Sequence, residues 1–281
     1  MQIAICSWSF HRLLAAGKQD IFQYIKDCKE LGCTHLDPWN GHLVGVKAGD
    51  QTFLNRQDPT APKMLLTDAE RAYVSQVKAA ADAAGMPFGC IAADGCHIFD
   101  ADLAKRTANR ARAYRWIEVC TLLGARQIRI DAGGPADMPP DAYAVIKEGF
   151  LDLIARAKAR GVEMITENHI GPTNRLENVL KIMTDIPTLG LLWDSHNWQP
   201  QTTIPEARQQ TVRFAKATHF KTFTFDDAGN EITPGADVAG AMQLLKDSGY
   251  RGCWGVESVP KDGDEIGAAR KTIALIKKIA D

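Results

Sequence analysis

Four apolar segments in the second half of the sequence each end in a side chain that can bind a metal ion. The four end residues are Glu167, Asp194, His219 and Glu257. One carboxylate at the end of a buried strand can be accidental, but three carboxylates and an imidazole on successive strands make a set of ligands. We therefore predict that these four residues bind one divalent metal ion.

The donor atoms of these residues indicate which ion fits the site. Carboxylate oxygens are hard ligands, whereas structural zinc sites are rich in cysteine and histidine. The set favours Mn²⁺, Mg²⁺ or Co²⁺, with Zn²⁺ as a further candidate. A cation is also needed for electrostatic reasons, because carboxylates buried side by side without one would be forced to take up protons.

The elements that must position these residues alternate between strand and helix along the chain. Apolar runs predict strands at residues 2–8, 34–39, 88–94 and 127–131, in segments that end at Glu167 and Asp194, in a segment that contains His219 and Lys221, and at residues 251–257. Helices are predicted at residues 21–31, 67–85, 102–123, 141–160, 175–185, 205–216, 238–248 and 264–279. Residues 40–66 have little periodicity, so we predict a long loop with a functional role such as a lid.

This alternation predicts an α/β fold, a (β/α)8 TIM barrel, because near-continuous apolar strands are typical of a parallel sheet buried on both faces. No linker divides the sequence, so we expect a single domain over residues 1–281. A doubly wound open sheet is the alternative, but no Gly-x-Gly-x-x-Gly pattern follows the first strand. The C-terminal strand ends of a barrel carry the active site, and the predicted ligands lie at such ends.

Composition limits the partners and the compartment. The net charge of -1 provides no basic surface for nucleic acid, and no run of ~18 apolar residues could span a membrane. The N-terminal segment is too short and not basic enough for a signal peptide, so we expect a cytoplasmic protein. The 7 cysteines are expected to be reduced thiols. We expect neither a nucleic-acid nor a membrane partner, and a homo-oligomer stays open.

The predicted ligands lie in four motifs: Thr166-Glu167-Asn168-His169, Leu192-Trp193-Asp194-Ser195-His196-Asn197, Thr218-His219-Phe220-Lys221 and Tyr250-Arg251-Gly252-Cys253-Trp254-Gly255-Val256-Glu257. Together they resemble the metal motifs of the sugar phosphate isomerase/epimerase superfamily, the xylose isomerase-like TIM barrels. The resemblance spans the whole chain in strand order. It implies a divalent metal on the four ligands, a small-molecule sugar substrate, and proton transfer by Glu167 and Glu257.

Three positions depart from the pattern of the ketose 3-epimerases in this superfamily. Asn197 stands where those enzymes have a histidine, with His196 one place earlier. Thr173 stands in the place of a second glutamate, and Phe225 in the place of an arginine. These departures argue against a strict free-ketose 3-epimerase and leave the metal motifs intact.

The resemblance and the ligand set lead to carbon-acid chemistry. A metal that holds two adjacent oxygens of a hydroxy-ketone stabilises the enediolate formed when the carbon between them loses a proton. With Glu167 and Glu257 as acid and base, the result is epimerisation or isomerisation of a sugar or keto-sugar. With a leaving group beta to the carbanion, the same intermediate loses water, so a dehydratase (lyase) of a keto-polyol such as inosose or dehydroshikimate is the alternative. An endonuclease IV-like DNA repair enzyme is less favoured, because it should have a three-zinc cluster, more histidines and a basic face.

Four polar residues close to the predicted ligands are interpreted as substrate-binding, namely His169, His196, Asn197 and Lys221. Lys221 has the same strand parity as His219, so both side chains should face the barrel mouth. Arg129 and Asp131 also share parity, which is consistent with an inward pair at the mouth or with a structural ion pair.

Two other features favour a structural interpretation over a functional one. Trp8, Trp39 and Trp254 could stack on a sugar, but tryptophans beside barrel strands are more often packing residues. The dipeptide Gly133-Gly134 is a weak phosphate-binding signal, because two glycines alone more often make a turn.

Overall fold

Parallel strands form one sheet in the computed structural model, which describes residues 1–44 and 66–280. The strands are β1 (Gln2–Ile5), β2 (Cys90–Ala92), β3 (Gln127–Arg129), β4 (Glu163–Glu167), β5 (Gly190–Asp194), β6 (Ala215–Thr222) and β7 (Cys253–Ser258). Their order in the sheet is β1-β7-β6-β5-β4-β3-β2, and every pairing is parallel. This order confirms the predicted α/β class with a parallel sheet.

A short segment at residues 36–39 lies between the two outer strands of this sheet. Asp37 forms a parallel bridge with Cys6 next to β1, and Trp39 forms one with Ala92 of β2. The prediction of a continuous strand over residues 34–39 is wrong, because the segment makes isolated bridges only. Pro38 interrupts it, since proline has no N–H to donate to a ladder. Its carbonyl still accepts a hydrogen bond from Ala92 N at 3.1 Å.

Helices connect the strands and pack against them. They are α1 (His11–Ala15), α2 (Ile21–Glu30), α3 (Asn40–Leu43), α4 (Asp68–Ala84), α5 (Leu103–Leu123), α6 (Pro140–Lys158), α7 (Leu176–Asp185), α8 (Ile204–Thr211), α9 (Val238–Asp247) and α10 (Glu265–Ala280). The start of α4 is the predicted capping box, in which the Thr67 side chain accepts from Glu70 N while the Glu70 carboxylate accepts from Thr67 N. Of the predicted loop 40–66, residues 45–65 lie outside the described residues, and the suggested lid lies with them.

The predicted ends of the first strand and of the helix at residues 205–216 are wrong, and backbone hydrogen bonds nearby explain both. The first strand ends at Ile5 rather than Trp8, because Ser9 N donates to Cys6 O at 2.9 Å and starts a 3₁₀ turn over Ser7–Phe10. The helix predicted at residues 205–216 ends at Thr211, because β6 begins at Ala215, which pairs with Leu191 of β5. Pairing with a buried neighbouring strand outweighs helical periodicity there.

A small apolar cluster fills the inner side of the sheet. It consists of Cys90, Ile165, Leu192 and Ala217, which are all buried. Side chains two positions apart on a strand point to the same face, so the residues two places further along β4, β5 and β6 must lie directly above this cluster. Those residues are Glu167, Asp194 and His219. We call this cluster the inner apolar layer.

The other strand face packs against the helices. Trp193 is fully buried there, and its Nε1 donates to Thr211 Oγ1 at 3.1 Å. Trp254 stacks on Phe220 with ring centroids 5.5 Å apart. Trp254 is therefore a packing residue, as the sequence suggested. None of the helices within residues 1–44 and 66–280 has the length and apolarity to cross a membrane.

Candidate metal centre

Four side chains converge at the C-terminal ends of four adjacent strands. Each of Glu167, Asp194, His219 and Glu257 offers one ligand atom, and these atoms all lie within 4.8 Å of one another. All four residues are buried. Their strands β4, β5, β6 and β7 are neighbours in the sheet, and Asp194 is in register with His219. The residues chosen from the sequence thus lie together, and their binding of an ion stays a prediction.

The free donor atoms of this group fit a cation. Asp194 Oδ1 accepts hydrogen bonds from His196 N at 2.7 Å and Asn197 N at 2.8 Å, so this oxygen is satisfied. Asp194 Oδ2 and His219 Nδ1 are buried without a hydrogen-bond partner. Nδ1 lies 3.0 Å from Glu257 Oε2 without hydrogen-bond geometry. Buried polar atoms without partners are costly, and a divalent ion among them would remove that cost.

Asp37 orients the imidazole of the group. Its Oδ2 lies 3.0 Å from His219 Nε2, which leaves Nδ1 directed at the carboxylates. A carboxylate behind a histidine fixes its tautomer and makes it a better ligand. Asp37 is itself held in place, because its N–H donates to Tyr24 Oη at 2.9 Å and the Tyr24 hydroxyl donates to Ile5 O at 2.6 Å. Sequence reasoning assigned Asp37 no role, although a carboxylate inside a predicted buried strand was a signal.

Arg129 forms an ion pair with one carboxylate oxygen of Glu167, Oε2. Its Nε lies 3.1 Å from Glu167 Oε2, and its Nη1 donates to Asp94 Oδ1 at 2.7 Å and to Asp131 Oδ2 at 2.9 Å. The Arg129–Asp131 pair therefore belongs to an ion-pair network at the C-terminal ends of the strands. Glu167 Oε1, which also accepts from Asn197 Nδ2 at 3.3 Å, faces the other ligands.

Lys221 lies between two of the carboxylates. Its Nζ donates to Asn197 Oδ1 at 2.9 Å and lies 3.2 Å from Glu257 Oε1 and 3.5 Å from Asp194 Oδ2. The side-chain direction predicted from strand parity is confirmed. Asn197 therefore links Lys221 to Glu167, which gives this asparagine a positioning role in the group.

The two histidines that follow the first two ligands have different surroundings. His169 lines the pocket above the group, and its Nδ1 lies 3.1 Å from Asp131 Oδ2. His196 is not among the residues that line this pocket, and its ring packs on Phe223 with centroids 5.2 Å apart. Of the predicted substrate-binding residues, His169 and Lys221 are thus positioned to contact a ligand directly.

Burial and crowding set the protonation of the carboxylates. Burial raises the pKa of Asp194 to about 6, the negative charges of Glu257 and Glu167 add to the rise, and Lys221 opposes it. Burial also acts on Glu257, but Lys221 and His219 outweigh it and hold the pKa of Glu257 well below its usual range. The sequence predicted that crowded carboxylates would be driven towards protonation, and Asp194 shows this effect.

The two basic side chains of the site, His169 and Lys221, have raised pKa values and so keep their protons. Burial lowers the pKa of His169, but Glu167 and Asp131 outweigh it and raise that pKa to about 9. Burial likewise opposes the charge of Lys221, and the attraction of Asp194 and Glu257 raises the pKa of this lysine above its usual value. Near neutral pH the pocket therefore contains groups that can accept a proton beside groups that can donate one.

A pocket of about 230 Å³ borders three of the four predicted ligands, Glu167, His219 and Glu257. Its walls are formed by Cys6, Trp8, Trp39, Asp94, Arg129, Glu167, His169, His219, Lys221 and Glu257. The two tryptophans that the sequence suggested as packing residues thus face this pocket, because each lies at the end of a strand-like segment on the rim. Such a pocket can hold a small ligand against a metal ion.

Parallel strands that alternate with helices and carry a carboxylate-rich centre at their C-terminal ends are typical of TIM barrels. The chain belongs to the xylose isomerase-like TIM barrel family, whose sequence profile matches residues 25–279. A search of curated proteins found no match.

Solved structures of this type resemble the chain over nearly its whole length. The 3-keto-D-glucoside 4-epimerase from E. coli is 15% identical with a TM-score of 0.68, covering 92% of this chain and 95% of that chain. The probable 3-DHS dehydratase from Bacillus anthracis is 14% identical with a TM-score of 0.68, covering 98% and 99%. A xylose isomerase-like TIM barrel protein from Mycobacterium smegmatis, in complex with magnesium, is 16% identical with a TM-score of 0.65, covering 92% and 88%. At these identities the likeness shows the fold.

Proposed function

We propose that this protein is a metal-dependent isomerase or epimerase that acts on a sugar or keto-sugar. The observation that carries the proposal is the convergence of Glu167, Asp194, His219 and Glu257, in which two buried ligand atoms make no hydrogen bond, beside the 230 Å³ pocket that three of these residues line. The four residues would hold Mn²⁺, Mg²⁺ or Co²⁺, with Zn²⁺ as a further candidate. When bound, the ion supplies Lewis-acid stabilisation of the negative charge that develops on a substrate oxygen.

The two glutamates would carry the proton transfer. Burial would raise the pKa of both glutamates, but His169 and Arg129 lower that of Glu167, and Lys221 and His219 lower that of Glu257. Both are therefore ionised near neutral pH, which is the form that accepts a proton. They reach the pocket from β4 and β7, which are separated by two strands. One glutamate, in its ionised form, would remove the proton to give an enediolate and later release that proton to water. The other would take up a proton from water and give it to the opposite face of the same carbon or to the neighbouring carbon.

A dehydratase acting on a keto-polyol is a second candidate. It is favoured by the two proton donors that line the same pocket, His169 and Lys221. Both have raised pKa values and are protonated near neutral pH. Elimination of water requires a proton for the departing hydroxyl. His169, with a pKa of about 9, is the better donor of the two, because the pKa of Lys221 is raised above the usual lysine value.

Further properties of the protein are proposed with this function. The bridged segment at residues 36–39 would occupy the eighth position of a closed (β/α)8 ring within a single domain of residues 1–281, since it contacts both outer strands. The enzyme would act on a small molecule, without a nucleic-acid or membrane partner. A cytoplasmic location fits the 7 cysteines, all of which are free.

Hydrogen–deuterium exchange at carbon tests the proposal directly. The protein is loaded with Mn²⁺, Co²⁺ or Mg²⁺ and incubated in D₂O with D-fructose, D-tagatose, L-ribulose, 2-keto-myo-inositol and 3-dehydroshikimate, and exchange is followed by NMR. We expect metal-dependent deuterium incorporation next to the carbonyl of at least one compound. Formation of an ultraviolet-absorbing unsaturated product would select the dehydratase. The absence of both exchange and elimination with every ion would refute the proposal.

Matched variants make this assay specific. Glu257→Gln removes a proposed proton-transfer group, whereas Glu177→Gln changes an exposed glutamate in the first turn of α7. Exchange should be lost in the first variant and kept in the second.

A further inference from the structure

We infer that Arg208 and Asn168 are positioning residues of the candidate metal centre. Both bind the backbone at Asp194 and Ser195, and they thereby hold the Asp194 carboxylate so that Oδ1 is bound to the protein and Oδ2 is left for an ion. The inference rests on the proposed function for the presence of that ion. The orientation of the carboxylate can be tested without it.

The orientation of the Asp194 carboxylate depends on the turn that follows β5. Oδ1 accepts hydrogen bonds from His196 N and Asn197 N, the amides two and three residues further along the chain. An aspartate that binds amides at these positions forms a local turn with its own backbone. Oδ2 is buried and makes no hydrogen bond to any group within residues 1–44 and 66–280. Displacement of the turn would therefore release Oδ1 and let the carboxylate rotate.

Asn168 holds Asp194 from the end of β4. Its side chain is fully buried, its Oδ1 accepts from Asp194 N at 2.8 Å, and its Nδ2 donates to Asp194 O at 3.0 Å. The backbone pairing of β4 with β5 ends before this point, at Glu167 and Leu192. The amide side chain thus takes the place of a peptide group and extends the pairing to the residue that carries the predicted ligand.

Arg208 holds the same turn from helix α8. Only 4% of its surface is exposed. Nε donates to Ser195 O at 2.7 Å, while Nη1 donates to Asp237 O at 3.0 Å and Nη2 to Ala236 O at 2.5 Å. One guanidinium therefore ties the turn after β5 to the residues that precede α9.

A buried guanidinium is costly, so the contacts of Arg208 must offset that cost. Burial lowers the pKa of Arg208, although the charges of Asp237 and Asp194 oppose the change. Asp237 Oδ2 lies 4.0 Å from Nη1 on a side chain that is 74% exposed, and such a pair contributes little. The hydrogen bonds to three backbone carbonyls are thus the main contacts that this arginine makes in the described part of the chain.

Ser195 connects the turn to the neighbouring strand β6. Its N–H donates to His219 O at 2.9 Å, and its Oγ accepts from Lys221 N at 3.0 Å. Because Arg208 binds its carbonyl, the backbone N–H, the carbonyl and the hydroxyl of this buried serine all have partners. A shift of Ser195 would therefore also move Asp194 relative to His219.

Amide exchange in the metal-free protein tests the positioning role. In EDTA at pH 7, hydrogen–deuterium exchange is followed by NMR at the amides of His196 and Asn197, which bind Asp194 Oδ1. We expect Arg208→Met and Asn168→Ala to speed exchange at both amides about tenfold or more, because the turn opens more often without these hydrogen bonds. Arg208→Lys keeps the charge and a donor, so it should restore part of the protection.

Arg112→Met is a matched control. Arg112 is also a buried arginine, on α5, and its Nη1 donates to a loop carbonyl, that of Gly95. This carbonyl follows β2 and lies outside the turn that holds Asp194. An effect that comes from lost stability alone should appear in both arginine variants, whereas faster exchange at His196 and Asn197 should appear only in Arg208→Met.

Titration with Mn²⁺ supplies the second measurement. Electron paramagnetic resonance of free and bound Mn²⁺ gives the affinity, which should fall about tenfold or more in Arg208→Met and in Asn168→Ala. Arg208→Lys should lie between these variants and the wild type, and Arg112→Met should bind as the wild type does. Exchange within about twofold of the wild type in either variant, or an Mn²⁺ affinity equal to that of Arg112→Met, overturns the inference.

Failure of this inference can be told apart from failure of the proposed function. If the wild type binds no divalent ion, the proposed function fails, and the exchange rates at His196 and Asn197 decide whether Asp194 is positioned in this way. If the wild type binds Mn²⁺ and exchanges carbon-bound deuterium while Arg208→Met and Asn168→Ala behave as Arg112→Met does, the inference alone fails.

Discussion

Asp37 and His219 are 182 positions apart in the chain, and Asp37 Oδ2 lies 3.0 Å from His219 Nε2. The contact joins the segment that bridges the outer strands to the strand that carries the imidazole ligand. It therefore couples the segment that bridges the two outer strands to the orientation of one side chain at the candidate metal centre.

We predict that Asp37→Asn weakens metal binding about tenfold to 100-fold, because the imidazole loses the carboxylate that fixes its tautomer and raises its basicity. Titration calorimetry with Mn²⁺ measures the effect. Asp82→Asn, at an exposed aspartate paired with Lys78 on α4, is the control and should bind as the wild type does. Equal affinity in both variants would show that Asp37 has no role at the centre.

Asp194 should make the metal-free protein less stable as the pH rises. Its pKa is raised to about 6 in the folded protein, against about 3.9 for an unfolded aspartate, so the folded state binds the extra proton between these values. The contribution of Asp194 to stability is therefore lost between about pH 4 and pH 6.

Asp194→Asn should remove this penalty. We predict that, in EDTA at pH 7, the variant is more stable than the wild type by on the order of 2 kcal/mol, and that the difference vanishes below about pH 4. Thermal unfolding across pH 4–8 measures this. Mn²⁺ should raise the melting temperature of the wild type and leave that of the variant unchanged. A variant that is less stable at pH 7 would contradict the prediction.

Arg129 should be essential for the stability of the pocket. Arg129→Leu leaves the carboxylates of Asp94, Asp131 and Glu167 without their shared cation, and we expect a loss of about 3–5 kcal/mol. Urea unfolding provides the measurement. Arg71→Leu breaks the much more exposed pair with Glu118 and should cost about 1 kcal/mol or less. Similar losses in the two variants would argue against the buried network.

Glu257→Gln should abolish turnover while the protein stays folded. Removal of a positioned proton-transfer group typically lowers the rate about 10²- to 10⁴-fold. The rate of deuterium incorporation at saturating Mn²⁺ measures the loss, and circular dichroism confirms the fold. If the rate is within twofold of the wild type, Glu257 transfers no proton.

The two histidines beside the ligands should differ in importance. His169 lines the pocket and contacts Asp131, whereas His196 packs on Phe223. We therefore expect His169→Ala to lower kcat/KM about 100-fold or more and His196→Ala to change it less than tenfold. The reverse order would mean that His196 contacts the substrate.

Much of the fold could be predicted from the sequence because apolar strand segments and helical segments alternate regularly along it. Apolar runs that end in Glu167, Asp194 and Glu257 mark strands buried on both faces, and their common position at the strand ends brings the side chains together. The start of α4 could also be predicted, because the side chain of Thr67 caps the helix by accepting a hydrogen bond from the nearby Glu70 N.

The remaining features depend on contacts between distant segments. The role of Asp37 follows from a partner far along the chain, so periodicity could not indicate it. The interruption of its strand follows from Pro38, a local signal that the reading of apolar runs did not use. Trp8 was assigned to packing because a sequence pattern cannot tell which side of a rim residue is open. The shared position of Arg129 among three carboxylates likewise appears only when three strand ends are adjacent.

The inner apolar layer limits how this protein can change. Ile165, Leu192 and Ala217 each precede a ligand by two positions on the same strand. Insertion of one residue upstream within β4, β5 or β6 would turn both members of such a pair to the outside at once. A homologue with a changed strand length would thus lose part of the inner apolar layer and a predicted metal ligand together. The connecting loops can change in length without this effect.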